Sequence, residues 1–272
     1  MSLRRFLVAL VFAFLGVAGC STTQSGAPNL AGSYELNGET AAGEAYHGAL
    51  KLTPNGPGFD VEWQRSPVLE SHGFGLQLDE VLGVVAENNE RYPGVVLYRV
   101  KGGHLEGIWR YASGSSGLGA ENLDGPAGLD GTYRITLGRN PTGTRYYGSV
   151  TIKKAGDIYL VDWSTPDPEY VGTGVLLGDI FVVGYSRDRR SGVAAYCMGS
   201  ATAFDGVTGE ASDTAVGAEL LRRSDASGAS NASDDAGARL HALRQGARSC
   251  GGPVASRRAP SASDQPQVAA LP

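Results

Sequence analysis

Residues that usually carry chemistry are scarce in this chain. Its four histidines, His47, His72, His104 and His241, are scattered, and the first three have no counterpart in the repeat described below. No Gly-x-Ser-x-Gly, His-Glu-x-x-His, Cys-x-x-Cys or phosphate-loop sequence occurs. Asp167-Pro168-Glu169 is a carboxylate pair in a proline-rich loop, where solvation of the loop explains it. No catalytic residue, metal ligand or cofactor is therefore expected, and the protein reads as non-enzymatic. A basic excess is lacking as well. Lys and Arg number 23 against 28 Asp and Glu, a net charge of −5, without the electrostatic footprint of a nucleic-acid binder. No nucleic-acid partner is expected.

What the chain does have is glycine, 40 residues of it, and a repeat. Phe59-Asp60-Val61-Glu62-Trp63 returns as Tyr159-Leu160-Val161-Asp162-Trp163. Gly32-Ser33-Tyr34 answers to Gly131-Thr132-Tyr133, Tyr46-His47-Gly48 to Tyr146-Tyr147-Gly148, and Gly73-Phe74-Gly75 to Gly172-Thr173-Gly174. Tyr98 matches Tyr196, and Gly119-Ala120-Glu121 matches Gly217-Ala218-Glu219. Apolar and polar residues alternate within these segments, the period of half-buried strands. Each copy holds about eight such segments, separated by short Gly, Asn, Pro and Asp clusters that suit antiparallel neighbours. Val81 to Val85 departs from the alternation as a continuous apolar run. An eight-stranded meander closed into a barrel leaves no exposed edge. The expected fold is all-β: two tandem antiparallel eight-stranded meander barrels, residues 30–124 and 129–224, joined through Asp124 to Gly128.

At the N-terminus, Arg4 and Arg5 precede an apolar stretch from Phe6 to Leu15, too short to span a bilayer. Val17-Ala18-Gly19-Cys20 follows and resembles the lipobox of bacterial lipoproteins. That resemblance implies cleavage of residues 1–19, acylation of Cys20 (palmitate among the chains), and membrane attachment through the N-terminal lipid. Removing Arg4 and Arg5 takes the net charge from −5 to −7. Ser21 after the cysteine implies, by similarity to bacterial sorting rules, the outer membrane rather than the inner one. Residues 20–29 read as a polar tether.

The order Gly-x-Tyr, Asn-Pro-x-Gly, Tyr-x-Gly-x-Val-x-Ile, Tyr-x-Val-x-Trp and Gly-x-Gly in residues 129–221 resembles a repeat of secreted bacterial proteins, some labelled "fibronectin-binding". Residues 30–123 resemble it more loosely. The shared positions are glycines and aromatics, so the resemblance implies a fold and carries no catalytic residue. Gly32-Ser33-Tyr34 also resembles the opening strand of lipocalin- and avidin-type barrels.

Tyr34, Trp63, Tyr98 and Trp109 of the first copy, and Tyr133, Trp163 and Tyr196 of the second, point into their barrels on this reading. Barrels of this size are either filled by side chains or hold one small ligand. So many large residues favour filled cores, with the same seven as the lining in the alternative, a carrier of a small apolar molecule. The first reading is a lipid-anchored envelope protein acting as a binding or structural module, with an envelope or host protein as partner. Cys197 aligns with Arg99 and so faces outward; with Cys250 it can form a disulfide in an oxidising compartment. Residues 225–272 lack the apolar content to order themselves, except for one short helix beginning at Ser233.

Overall fold

Every alternating segment forms a strand. The computed structural model describes residues 29–66, 69–87, 92–112, 117–166, 169–188, 190–200, 202–225, 233–246 and 250. The leader, the lipobox with Cys20, the Asp167-Pro168 pair and residues 251–272 lie outside the described residues. In chain order the strands are β1 (Gly32–Glu39), β2 (Ala45–Asn55), β3 (Gly58–Ser66), β4 (Leu69–Leu78), β5 (Val81–Ala86), β6 (Gly94–Lys101), β7 (His104–Tyr111) and β8 (Gly119–Asp124). The second copy gives β9 (Gly131–Arg139), β10 (Ser149–Ala155), β11 (Ile158–Ser164), β12 (Tyr170–Leu177), β13 (Ile180–Ser186), β14 (Val193–Ser200), β15 (Ala203–Gly209) and β16 (Gly217–Arg223). Helix α1 (Ser233–Arg244) follows.

They close into two eight-stranded antiparallel barrels, as expected, but the barrels are out of phase with the repeats. Strands β6 to β13 form one barrel, continuous in sequence, closed by β13 against β6. Strands β14, β15, β16, β1, β2, β3, β4 and β5 form the other, closed by β14 against β5. The first barrel is thus inserted into the second, and we call them the inserted and the split barrel. Residues 30–124 and 129–224 are not the two structural units. The Asp124–Gly128 segment joins β8 to β9 inside the inserted barrel, and the crossings between barrels fall at residues 87–93 and 187–192. The reason is cyclic order: in a closed meander, each strand pairs with the next and the last with the first. A repeat of eight strands therefore fixes the period and leaves the starting strand open.

The crossings explain the continuous apolar run. Strands β5, β6, β13 and β14 are buried on both faces, one toward a barrel interior and one toward the neighbouring barrel. Val85, Val95, Leu97, Val182, Val193 and Ala195 belong to one cluster that spans the two barrels. Leu240 and Leu243 of α1 join the same cluster. Arg239 of α1 pairs with Asp205, and Arg244 with Glu39. Cys197 and Cys250 are joined by a disulfide, with Cα atoms 5.4 Å apart, which ties the segment after α1 to β14.

Glycine is used where rings lie flat on neighbouring strands. A Cβ on Gly73 would come within 2.8 Å of the Trp63 ring, and one on Gly172 within 3.2 Å of the Trp163 ring. The first glycine of each Gly-x-Gly thus admits a neighbouring backbone carbonyl, that of Val85 or Gly184, together with a tryptophan ring.

Candidate binding cavity

The inserted barrel is not filled. A cavity of about 290 Å³ opens at one end, close to the lower limit of roughly 300 Å³ for small-molecule sites. Its walls are aromatic: Tyr98 on β6, Trp109 and Tyr111 on β7, Trp163 on β11, Tyr170 on β12 and Tyr185 on β13. Tyr146 closes the wall from the β9–β10 connection. The rings brace one another, with Trp109 and Tyr111 edge to face at 4.9 Å and Tyr170 and Tyr185 at 5.5 Å. The Tyr111 and Tyr170 hydroxyls are 3.0 Å apart.

The polar rim comes from the Asn140-Pro141-Thr142-Gly143 turn. Asn140 Oδ1 accepts from the backbone N–H groups of Thr142 (3.1 Å) and Thr144 (2.8 Å), and Gly143 takes a φ of 90°, which favours glycine. This locked turn places Asn140, Thr144 and Arg145 at the mouth, with Thr165 opposite on the chain leaving β11.

One carboxylate lies inside. Glu121 is 2% exposed and sits on the inward face of β8, between Gly119 and Leu123. The Tyr98 hydroxyl donates to it, and Trp163 Nε1 donates to Oε1 at 3.0 Å. Burial raises its pKa, opposed by hydrogen bonds from Tyr98, Trp163 and Tyr146. Burial also pushes the Tyr98 and Tyr185 hydroxyls well up. Trp109 Nε1 is buried without a hydrogen-bond partner. Among the residues lining the cavity, Glu121 is the single acid and Arg145 the single base. No ion pair joins Glu121 to a cation among the described residues.

Of the seven aromatics expected to line a ligand, the structure brings three together here: Tyr98, Trp109 and Trp163. Tyr133 lies in the same barrel core, away from the cavity, with its hydroxyl bonded to the Gly128 carbonyl. Tyr34, Trp63 and Tyr196 belong to the split barrel. Grouping by repeat copy fails because the barrels are out of phase with the copies. The sequence reading missed Glu121, Tyr111, Tyr146, Tyr170 and Tyr185 as lining residues. A glutamate on the apolar face of a strand, repeated as Glu219, was the available signal. Among the described residues no group of three His, Cys, Asp or Glu is placed to hold a metal ion.

No family model, curated protein or solved structure matches this chain.

Proposed function

We propose that this protein is a lipid-anchored cell-envelope module that binds a small molecule in its inserted barrel without transforming it. The carrying observation is the open aromatic cavity around Glu121 in a fold whose other features are structural. Of the two sequence-level uses for the aromatics, this favours ligand binding over a filled core for that barrel. The buried acid adds polarity to a ligand expected as apolar. Turnover is less supported than binding. The cavity has an acid with a raised pKa, a feature of many active sites, yet no His, Cys, Ser or Lys lines it to act as partner or nucleophile. Attachment through acylated Cys20, at the outer membrane, rests on the leader sequence and its similarity to lipoproteins. Among the described residues no helix is long and apolar enough to cross a membrane.

Native mass spectrometry of the chain from Ser21 to Pro272, recovered from the periplasm of its own cells, tests the reading. A discrete small-molecule adduct is expected, lost in Trp163→Ala and retained in Trp63→Ala, because of these two only Trp163 lines the cavity. An adduct retained by both variants, or a bare protein mass throughout, contradicts it.

A further inference from the structure

The split barrel contains an internal answer to what the cavity takes. Its Glu219 is the counterpart of Glu121: each lies opposite a glycine that in turn pairs with a tyrosine, Gly206 with Tyr196 and Gly107 with Tyr98. Both tyrosines donate to their glutamates. Tyr46 Oη donates to Glu219 at 2.6 Å, and Tyr146 is its counterpart beside Glu121. The surroundings differ. Trp163 Nε1 donates to Glu121, while Trp63 Nε1 has no hydrogen-bond partner among the described residues. Trp109, Tyr170 and Tyr185 stand where the split barrel has Thr208, Ser71 and Ala86. A further difference is a cation. Arg65 Nη2 sits 3.2 Å from Glu219 Oε1, with its guanidinium 5.2 Å from the Tyr46 ring centre. The residue in that place in the inserted barrel is Thr165. Arg65 follows Val61 and Trp63 on β3, as Thr165 follows Val161 and Trp163 just past the end of β11. A Cβ on Gly48 would meet the Arg65 Cα at 3.0 Å, and one on Gly148 the Thr165 Cα at 3.1 Å. In the split barrel Arg65 places a cation of the chain itself on the buried acid. In the inserted barrel no cation pairs with Glu121 among the described residues, and the cavity that the acid lines is bordered by Thr165.

From this we infer, building on the ligand-binding reading above, that the inserted barrel binds a small organic cation with a guanidinium or ammonium head. The head sits between the Glu121 carboxylate and the Tyr146 ring, where the Arg65 guanidinium sits in the other barrel. The chemistry supports such a ligand. A buried carboxylate has about four acceptor positions. Tyr98 and Trp163 donate to Glu121 with Tyr146 beside it, which leaves room for one more donor. Aromatic faces attract desolvated cations, and Trp109, Tyr111, Tyr146 and Tyr185 supply them, while the Tyr170 ring already carries the Arg187 guanidinium at 5.5 Å. Arg145 at the rim repels a cation held at the mouth and favours the orientation with the charged head inward. Its charge suits a polar or anionic group at the ligand's other end.

The test compares propylguanidinium with propylurea, which has nearly the same shape and no charge. Binding to the mature chain is followed by calorimetry and by tryptophan fluorescence. Saturable binding of propylguanidinium is expected, at least about 100-fold tighter than that of propylurea. Glu121→Gln, which keeps the cavity's shape, brings the two probes to equal affinity. Thr165→Arg, which copies the split barrel's cation, abolishes binding of both. Equal affinity of the wild type for both probes overturns the cation assignment and leaves a neutral aromatic seat, so the ligand-binding reading survives. Binding of neither probe also overturns it, and the seat then stands or falls on the native-mass adduct. Undiminished propylguanidinium binding in either variant, once its melting curve shows it folded, places the cation elsewhere and overturns the inference.

Discussion

Arg65→Met lowers the stability of the protein by about 2–3 kcal/mol, although Arg65 is far from the cavity it helps to explain. Breaking a buried ion pair by removing one partner costs about 3–5 kcal/mol, because the other charge is left buried alone. Glu219 is fully buried, but the Arg65 side chain is 41% exposed. Solvent screens its end of the pair, which brings the expected loss below that range, to about 2–3 kcal/mol. Methionine keeps a long apolar stem and removes the guanidinium, so the loss reports charge rather than packing. Thermal melting should show a fall of about 5–10 °C for a chain of this size. Adding Glu219→Gln should recover most of the loss, since no unpaired charge then remains. A melting point unchanged by Arg65→Met would mean that the Arg65–Glu219 pair does not stabilise the split barrel.

Replacing both Cys197 and Cys250 by serine has an effect of similar or larger size. The disulfide closes a loop of 53 residues, for which restriction of the unfolded chain is worth about 4 kcal/mol in the loop-entropy treatment and about 2–4 kcal/mol in typical measurements. The native helix depends on it too. Helix α1 has 12 residues, a length that is marginal in water without tertiary support. It is held by Leu240 and Leu243 in the core shared by the barrels, by Arg239 on Asp205 and by Arg244 on Glu39. In the double variant the α1 amides should exchange with solvent well ahead of the barrel strands. Exchange of α1 in step with the barrels, with no drop in melting temperature, would show that the helix docks without its tether.

The strands were legible because each carries an alternation that only a half-buried strand requires. Tyr133, Ile135 and Leu137 are an example, although Leu137 proves 36% exposed near the end of β9. The disulfide was legible only as one of two readings: Arg99 in the other copy marked position 197 as outward, which suits a bond to Cys250 as well as a free, half-buried thiol. The barrel phase was not legible. Pairing of β5 with β14 and of β6 with β13 satisfies the same side chains as pairing within each copy. The choice between them lies in the crossings at 87–93 and 187–192 and in the apolar faces that they bring together. The cavity was hidden for a related reason. Aromatics at matching positions look alike whether they fill a barrel or surround a space. The difference rests on Thr165 standing where the first copy has Arg65, just past the matched segment, and on Trp109, Tyr170 and Tyr185 standing where the split barrel has Thr208, Ser71 and Ala86. Once Glu121 and Glu219 are known to be inward and buried, those exchanges carry the functional meaning.

The ionisation of Glu121 is the most direct test of this account. Its side-chain carboxyl can be followed by carbon-13 NMR across a pH titration. The groups facing it are Tyr98 from β6, Trp163 from β11, Tyr185 from β13 and Tyr146 from the β9–β10 connection, with Arg145 at the rim. Burial holds Glu121 protonated above the ordinary carboxylate range. The folded chain then keeps a proton that the unfolded chain releases. Stability should therefore fall as the pH rises from the ordinary carboxylate range through the raised value, and level off above it. The account predicts that Glu121 titrates above the ordinary range in the wild type and drops sharply in Thr165→Arg or when propylguanidinium is bound. A Glu121 that titrates like an exposed glutamate, indifferent to both, would contradict the claim that this barrel awaits a cation.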